Sequence, residues 1–472
     1  MASHIDIVER LTALLGPRGI TTDPQDMEPW LTDWRGRYSG RALALVSPAD
    51  TAEVSAVVKI AGEAGVPIVP QGGNTSMVGG ATPDASGSAI ILSLRRMNAI
   101  RALSLEDASA VVEAGVILSN LHDAAAAVGW RFPLSLAAKG SATIGGLVST
   151  NAGGTQVLRF GTMRSLVLGV EAVMPDGSVY EGLSALRKDN RGLDLKHLLI
   201  GTEGTLGIVT AASLRIVPAA GERMVAWLGL PSAEAALTVL RGLEAATGEA
   251  VESFELVPDV GLQLVLQHLP GTRAPLAGAH GWHVLVEVTG PKGAPVVEQV
   301  EAALGEAIEA GLVEDAAIAA NDAQAEAFWH LRESVSEAER IDGMAAKHDI
   351  AVPVARMARF ITEATPKVED RFAGARVLAF GHLGDGNIHF NVRAPAGADS
   401  KAWLAETGAE VSAFVHDLVA AEGGSLSAEH GIGQMKRVEL ARLGNPVQLA
   451  AMRAVKAALD PQGLMNPGKL IP

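Results

Sequence analysis

VLAFGHLGDGNIHFNVR, residues Val377–Arg393, decides how the second half of this chain is read. Two β-type runs, VLAFGHL and IHFNV, flank Gly384-Asp385-Gly386-Asn387. Asp385-Gly386 is a preferred pair for a two-residue type I′ turn, in which both residues take positive φ. A turn there sets His382 directly opposite His389, with Cβ atoms about 4.5–5.5 Å apart on one face. Two imidazoles at that spacing can share one cation, each nitrogen about 2.0–2.1 Å away if the metal is zinc. Asn391, two residues past His389, points to the same face. Taken alone, a solvent-facing hairpin with incidental histidines is the simpler reading, so the rest of the chain has to decide.

The bulk properties narrow the field. A chain of 472 residues, 48% hydrophobic and 19% charged, is globular and long enough for about three domains. Its formal charge is −15, without a basic cluster, so nucleic acid is not expected as a partner. The absence of cysteine excludes disulfides, iron–sulfur ligation, thiolate catalysis and a cysteinyl cofactor link. No apolar run of about 18 residues is present to span a bilayer. The N-terminus, MASHIDIVERLTALLG, mixes charges into a helical period and lacks a signal-peptide core, which makes the cytoplasm the default expectation.

Along the chain, residues 1–40 read as an amphipathic helix (Ile5, Ile7, Val8, Leu11, Leu14, Leu15) followed by an irregular segment. From Ala42 the texture is βαβ-like: ALALVSP, a helix TAEVSAVVKIAGEAG opened by a Thr/Glu cap, then VPIVPQGG. A GxGxxG fingerprint is absent, so a Rossmann domain is not expected. Two further glycine-dense blocks, residues 134–161 and 199–218, flank a hairpin turning at Pro175-Asp176-Gly177-Ser178. Residues 221–375 alternate apolar strands with Ala-rich helices, an α+β pattern with helices on one face of an antiparallel sheet that also takes in the opening hairpin. The expected organisation is an N-terminal helical segment (1–40), a cofactor domain (41–218), a substrate domain carrying the hairpin (219–422) and a C-terminal segment (423–472).

Three glycine blocks bracketed by Asn, Thr and Ser suit one task. Small residues such as Gln71–Ser76 can turn successive N–H groups into one concavity and bind anionic oxygens without Lys or Arg. Several such loops line a long phosphate-bearing cofactor. PQGGNTSMVGG (70–80), KGSATIGGLVSTNAGG (139–154), GTEGTLGIVT (201–210) and the closing NPGKLIP together resemble the FAD-binding signatures of the vanillyl-alcohol oxidase/p-cresol methylhydroxylase superfamily. HLGDGNIH and the later EHGIG resemble its D-2-hydroxyacid dehydrogenase branch, which includes D-2-hydroxyglutarate and D-lactate dehydrogenases and glycolate oxidase flavoprotein subunits. The resemblance runs from about residue 40 to the end, with the motifs in family order.

The resemblance implies a two-part FAD-binding domain of that type, an α+β substrate domain with an antiparallel sheet, and a C-terminal helical segment. It implies pyrophosphate on Gly72, Gly73, Asn74, Thr75 and Ser76, with Pro70 and Gly79 also binding the cofactor. Flavin and ribityl contacts would fall to Pro133, Gly140, Ser141, Gly145, Gly146 and Thr150, with Asn151 and Gly153 also binding the cofactor. Glu203, Gly204 and Ile208 would serve the adenosine side, and Asn466 and Lys469 would close from the C-terminus. With no Cys, and no His in the first glycine loop, the FAD is expected to be dissociable. His382, His389 and Glu429 would bind a divalent metal, zinc first, with manganese, iron and cobalt not distinguished. His430 would act as general base. Arg332, Ser336, Lys347, Asn391 and His382 would bind substrate, with Arg332 and Ser336 as i,i+4 neighbours on one helix. Ser336 stands where a Thr is expected, and His348 where a Tyr is commoner, on the pocket's rim. Lys347 is the main reason to prefer a dicarboxylate, D-2-hydroxyglutarate, over D-lactate or a broad D-2-hydroxyacid range including D-malate. A homodimer passing electrons to an electron-transfer flavoprotein, a quinone or a dye completes the expectation. A non-catalytic flavin-binding subunit leaves the histidines and Glu429 without a purpose, and a flavin-free metallohydrolase leaves the glycine blocks unexplained.

Overall fold

The structure, a computed structural model, describes residues 4–472, with side chains from Asp6 onward. Ile5, counted in the N-terminal apolar stripe, therefore lies outside the described side chains. The chain forms two compact units. The first comprises residues 1–154, 161–219 and 429–472, and the second residues 155–160 and 220–428.

In the first unit, β1 (Ile20–Thr21), β2 (Ala44–Val46), β3 (Ile68–Gln71) and β4 (Ile90–Ser93) form a sheet ordered β1-β2-β4-β3, with β2, β4 and β3 parallel. The helix Thr51–Ala64 links β2 to β3. Its N-cap is Asp50, which accepts the Glu53 N–H, while Glu53 reaches back to the Ala49 N–H. The expected Thr/Glu cap is thus one residue late, because the aspartate takes the acceptor role that its threonine neighbour could have filled. Ile7, Leu11 and Leu15 of the first helix pack on the same core as Ile68, Ile90 and Leu92. Next come β5 (Ile100–Ser104), β6 (Ser109–Glu113), β7 (Trp130–Arg131), β8 (Val167–Val173), β9 (Val179–Gly182), β10 (Ile208–Arg215) and β11 (Val217–Pro218). Five of them form an antiparallel sheet ordered β5-β6-β10-β8-β9, and β7 pairs with β11.

The second unit is one seven-stranded antiparallel sheet. Its strands are β12 (Glu222–Leu230), β13 (Val251–Pro258), β14 (Trp282–Gly290), β15 (Asp315–Ile318), β16 (Ala345–Ala351), β17 (Arg376–His382) and β18 (Asn387–Arg393). The order is β15-β12-β14-β13-β17-β18-β16. Helices cover both faces, not one. Ala233–Thr247, Val296–Glu309, Met357–Arg371 and Ser400–Ala421 pack on Val284, Val286, Ala379 and Phe390. Asp259–His268, Asp322–Glu333 and Val335–Asp342 cover the opposite face, on Trp227, Leu285, Leu378 and Phe380. Strand runs such as VAWLGL are apolar at every position because both sides are buried. Each fully buried large side chain contributes roughly 1.5–3 kcal/mol relative to exposure.

The β17–β18 hairpin forms with a different register from the one expected. Its loop is Leu383–Gly386, closed by the Gly386 N–H donating to the His382 carbonyl at 3.1 Å. His382 therefore faces Asn387, and His389 faces Phe380. Only Gly386 takes positive φ, at +80°, and a Cβ there would lie 2.1 Å from the Val352 carbonyl oxygen. Asp385 keeps an ordinary φ and caps the turn by accepting the Asn387 N–H. The displacement from the expected pairing is two residues, an even number, so both histidines stay on one face.

Candidate active site

The first glycine loop follows β3 directly and rests on the second block. A Cβ on Gly73 would lie 1.8 Å from the Ser141 carbonyl oxygen, so only glycine permits this approach of two backbones. Asn74 sits at φ +52° and donates its amide to the Pro29 and Thr32 carbonyls, anchoring the loop. Gln71 does the same toward Trp30 and Ala81, and Ser76 Oγ accepts the Gly80 N–H. The N–H groups of Gly73, Asn74, Thr75 and Ser76 make no hydrogen bond among the described residues. Thr143 Oγ1, Asn74 Oδ1 and Asn466 Oδ1 are buried there, also without partners among the described residues. Unmatched donors and buried acceptors around glycine loops fit a large polar cofactor bearing phosphates.

Other expected cofactor residues occupy more structural positions. Gly140 and Ser141 are exposed on their loop, whereas Pro133, Gly145, Gly153 and Gly204 are buried. The Gly145 N–H donates to the Ala114 carbonyl, and Thr150 Oγ1 bonds back to Gly146 within its helix. Asn151 spends its carboxamide oxygen on Thr162 Oγ1 and the Arg164 N–H. The Ile208 side chain belongs to the core with Val173, not to an open face. Glu203, at φ +52°, accepts the Ile432 and Gly433 N–H groups at 2.7 and 2.8 Å. Burial pushes its pKa up. Asn466 donates to the Glu203 and Gly80 carbonyls, so the third glycine block ties down both the EHGIG loop and the C-terminus. Lys469 is buried nearby, and desolvation lowers its ammonium pKa to about 8 against the pull of Asp84.

In the second unit, the face covered by helices Asp322–Glu333 and Val335–Asp342 carries a polar stripe across four strands. Lys347 pairs in register with Asn391, Asp349 with His389, and His382 with Glu255. The His382 and His389 rings are 5.5 Å apart between centroids. His382 Nδ1 donates to Glu255 Oε1 at 2.7 Å. Arg332 Nη2 lies 2.7 Å from Glu255 Oε2, with the guanidinium 4.9 Å above the Phe380 ring. Burial pushes the Glu255 pKa up, but His382 and Arg332 outweigh it and hold the carboxyl below its ordinary value. At the other end, Glu339 Oε2 accepts from Asn391 Nδ2 at 2.8 Å and meets Lys347 Nζ at 2.9 Å. Glu255 and Glu339 are both completely buried. Each cation expected for substrate is therefore already matched by a glutamate that the sequence reading did not single out. A signal for Glu255 was available in its strand, VESFELVP, where it stands between the apolar residues Phe254 and Leu256.

Two expectations fail here. Ser336 is exposed and lies on the helix Val335–Asp342, separated from Arg332 by a break at Ser334, so the i,i+4 relation does not form. His348 is not on a rim. Alternation in β16 turns it to the opposite face, where it is buried between the Phe390 carbonyl and Ser412 Oγ. Glu429 and His430 stand where the chain leaves the second unit. Ala428, its last residue, donates its N–H to the Asp349 carbonyl at 3.2 Å, and Asp349 is the register partner of His389. Glu429 follows by one peptide bond and His430 by two.

Comparison with known proteins fits this geometry. Residues 42–182 match the FAD binding domain family, and residues 220–470 match the family of FAD linked oxidases, C-terminal domain. The chain is 38% identical over 461 residues to the mitochondrial D-2-hydroxyglutarate dehydrogenase of Arabidopsis thaliana, covering 97% of this chain and 80% of that protein. It is 37% identical to the D-2-hydroxyglutarate dehydrogenase of Xanthomonas citri, covering 96% and 94%. Among solved structures, p-cresol methylhydroxylase superposes with a TM-score of 0.69 at 17% identity, covering 98% and 96%. These findings overturn the cytoplasmic expectation. Relatives such as the Arabidopsis thaliana protein are mitochondrial by name, and the expectation had rested only on the lack of a signal peptide. Among the described residues, no helix is long and apolar enough to cross a membrane.

Proposed function

Because this chain belongs to the FAD-linked oxidase family, as one of its FAD-dependent D-2-hydroxyacid dehydrogenases, we propose that it oxidises D-2-hydroxyglutarate to 2-oxoglutarate. The observation that carries the substrate is the polar stripe: Arg332 at one end, Lys347 with Asn391 at the other, and His382 and His389 between them. A dicarboxylate buried without two cationic partners is penalised heavily, and the stripe supplies both. Arg332 brings a buried Nε that has no partner among the described residues.

With Glu429 of the EHGIG motif as third ligand, His382 and His389 would make a His₂Glu donor set for a divalent cation, zinc in the first place. The Nδ1–Glu255 bond leaves His382 Nε2 as its metal donor. A cation held there would supply polarisation of the C2 hydroxyl, and FAD held by the glycine loops would supply the hydride acceptor. His430, next to Glu429, takes the hydroxyl proton. The N–H groups of Gly73–Ser76, without a partner among the described residues, would receive the pyrophosphate. Electrons then pass to a separate acceptor such as an electron-transfer flavoprotein, since the chain has no cysteine for an iron–sulfur relay.

A second reading, D-lactate as substrate, draws on one observation: Lys347 is already paired with Glu339, whereas Arg332, though paired with Glu255, keeps a buried Nε without a partner among the described residues for one carboxylate. Anaerobic reduction of the bound flavin by D-2-hydroxyglutarate, D-malate and D-lactate, with and without EDTA, separates the readings. Bleaching is expected to be fastest with D-2-hydroxyglutarate and to stop after complete metal removal. Equal or better kcat/KM on D-lactate sinks the dicarboxylate reading, and bleaching that survives EDTA sinks the metal.

A further inference from the structure

Glu255 occupies the middle of β13 and touches no solvent. It is the register partner of His382 on β17, and its two carboxylate oxygens face different residues. Oε1 accepts from His382 Nδ1, and Oε2 lies against Arg332 Nη2, both at 2.7 Å. Arg332 arrives from a helix, whereas His382 and Glu255 belong to adjacent strands. One buried group therefore joins the proposed metal ligand to the proposed substrate cation.

A wholly buried carboxylate is costly unless its partners are well placed, and burying it between two polar groups is no economical way to stabilise a sheet. A leucine in its place would pack on Val257 and Phe380, two neighbours on this face. We propose that Glu255 is a positioning residue that sets both halves of the site at once, fixing the His382 tautomer so that Nε2 alone is presented to a cation and holding the Arg332 fork in place for a substrate carboxylate. The inference rests on the reading of His382 and His389 as metal ligands. Hydrogen bonding of a ligating histidine's second nitrogen to a carboxylate fixes ring orientation and raises donor strength. The arrangement also couples the two functions, because a change at Arg332 is felt at His382 through one carboxylate.

The glutamine substitution tests this on chemical grounds. Its side chain has the same shape but offers one acceptor oxygen and one NH₂ donor. Whichever way the amide turns, one partner keeps an acceptor and the other meets a donor. The experiment uses FAD-loaded, metal-depleted enzyme and measures the Zn²⁺ dissociation constant by chelator competition, together with KM and kcat for D-2-hydroxyglutarate. Glu255→Gln is expected to raise the zinc Kd about 10–100-fold, the usual cost of losing such a partner, or to raise KM by a comparable factor if the amide turns the other way. Arg332→Met, which removes no metal ligand, should also raise the zinc Kd, by a smaller factor. A purely structural Glu255 would lower the melting temperature while leaving zinc Kd and KM of the folded enzyme unchanged, and that result overturns the proposal. If Glu255→Gln does not fold, Glu255→Asp keeps the charge but draws it back by one methylene. Wild-type zinc Kd and KM in that variant would be equally fatal. His389→Ala serves as the control. If it leaves zinc affinity intact, the metal reading fails, and this inference falls with it.

Discussion

Lys347 meets Glu339 of the neighbouring helix at 2.9 Å, and Asn391 shares the same carboxylate oxygen. A charged hydrogen bond to substrate is worth about 1.5–3 kcal/mol, so Lys347→Met should raise KM for D-2-hydroxyglutarate about 10–100-fold. The effect on D-lactate should be much smaller, and steady-state kinetics on both acids gives the ratio. Lys469 makes a prediction of a different kind. Its native pKa is lowered to about 8 by burial, from 10.5. Between those values the unfolded chain holds the proton and the native chain does not, so stability of the FAD-free protein should rise with pH across that window. The gain is about 3 kcal/mol at most, seen as a rising urea midpoint, and Lys469→Met should flatten it. At this scale the sequence exposes types and parity but not partners. His382 and His389 were legible because alternation survives an even error in register. The pairings of Glu255 and Glu339 were not, since nothing local tells which strand or helix a buried acid will meet.

At the scale of elements, two glycines let metal binding and flavin binding be tested apart. Gly386→Ala forces a Cβ toward the Val352 carbonyl at positive φ, a strain of about 1–3 kcal/mol or more concentrated in the hairpin loop. Bound zinc should fall while flavin content stays near that of the parent. Gly73→Ala pushes against the Ser141 carbonyl and should do the reverse, losing flavin while keeping zinc. Metal analysis and the visible absorbance of each purified variant check both. Asp385-Gly386 is a strong two-residue signal, but Asp385 stays at ordinary φ and Gly386 alone turns left-handed, which closes a four-residue loop. Helices on both sheet faces were readable in the uninterrupted apolar run MVAWLGL of β12.

For the whole molecule, the comparisons settle what the glycine blocks suggested: an FAD-linked oxidase fold with a separate antiparallel sheet. The flavin should be dissociable, because the chain has no cysteine and the Gln71–Ser76 loop has no histidine. Acid precipitation should leave the yellow colour in the supernatant, and flavin pelleting with the polypeptide would refute this. The chain passes between its two units four times, at residues 154/155, 160/161, 219/220 and 428/429. The short excursion 155–160 is firmly held in the second unit, with Arg159 on Glu252 and Thr289, and Ser253 Oγ on the Thr155 carbonyl. Neither unit can therefore be excised as one continuous fragment.

β3 lies at the edge of its sheet, and what covers that edge is the far end of the chain. The Ile68 N–H donates to the Leu464 carbonyl, and the Asn466 N–H returns to the Ile68 carbonyl. During synthesis, at roughly 5–20 residues per second, the strand that leads into the first glycine loop waits tens of seconds for its neighbour. The second unit is complete at Ala428, before the residues that finish the first have left the ribosome. The residues that close the β3 edge thus follow the second unit in chain order, and a chain cut between Ala428 and Leu464 is expected to keep its sheet of seven strands and lose bound flavin, which the visible absorbance of that fragment checks.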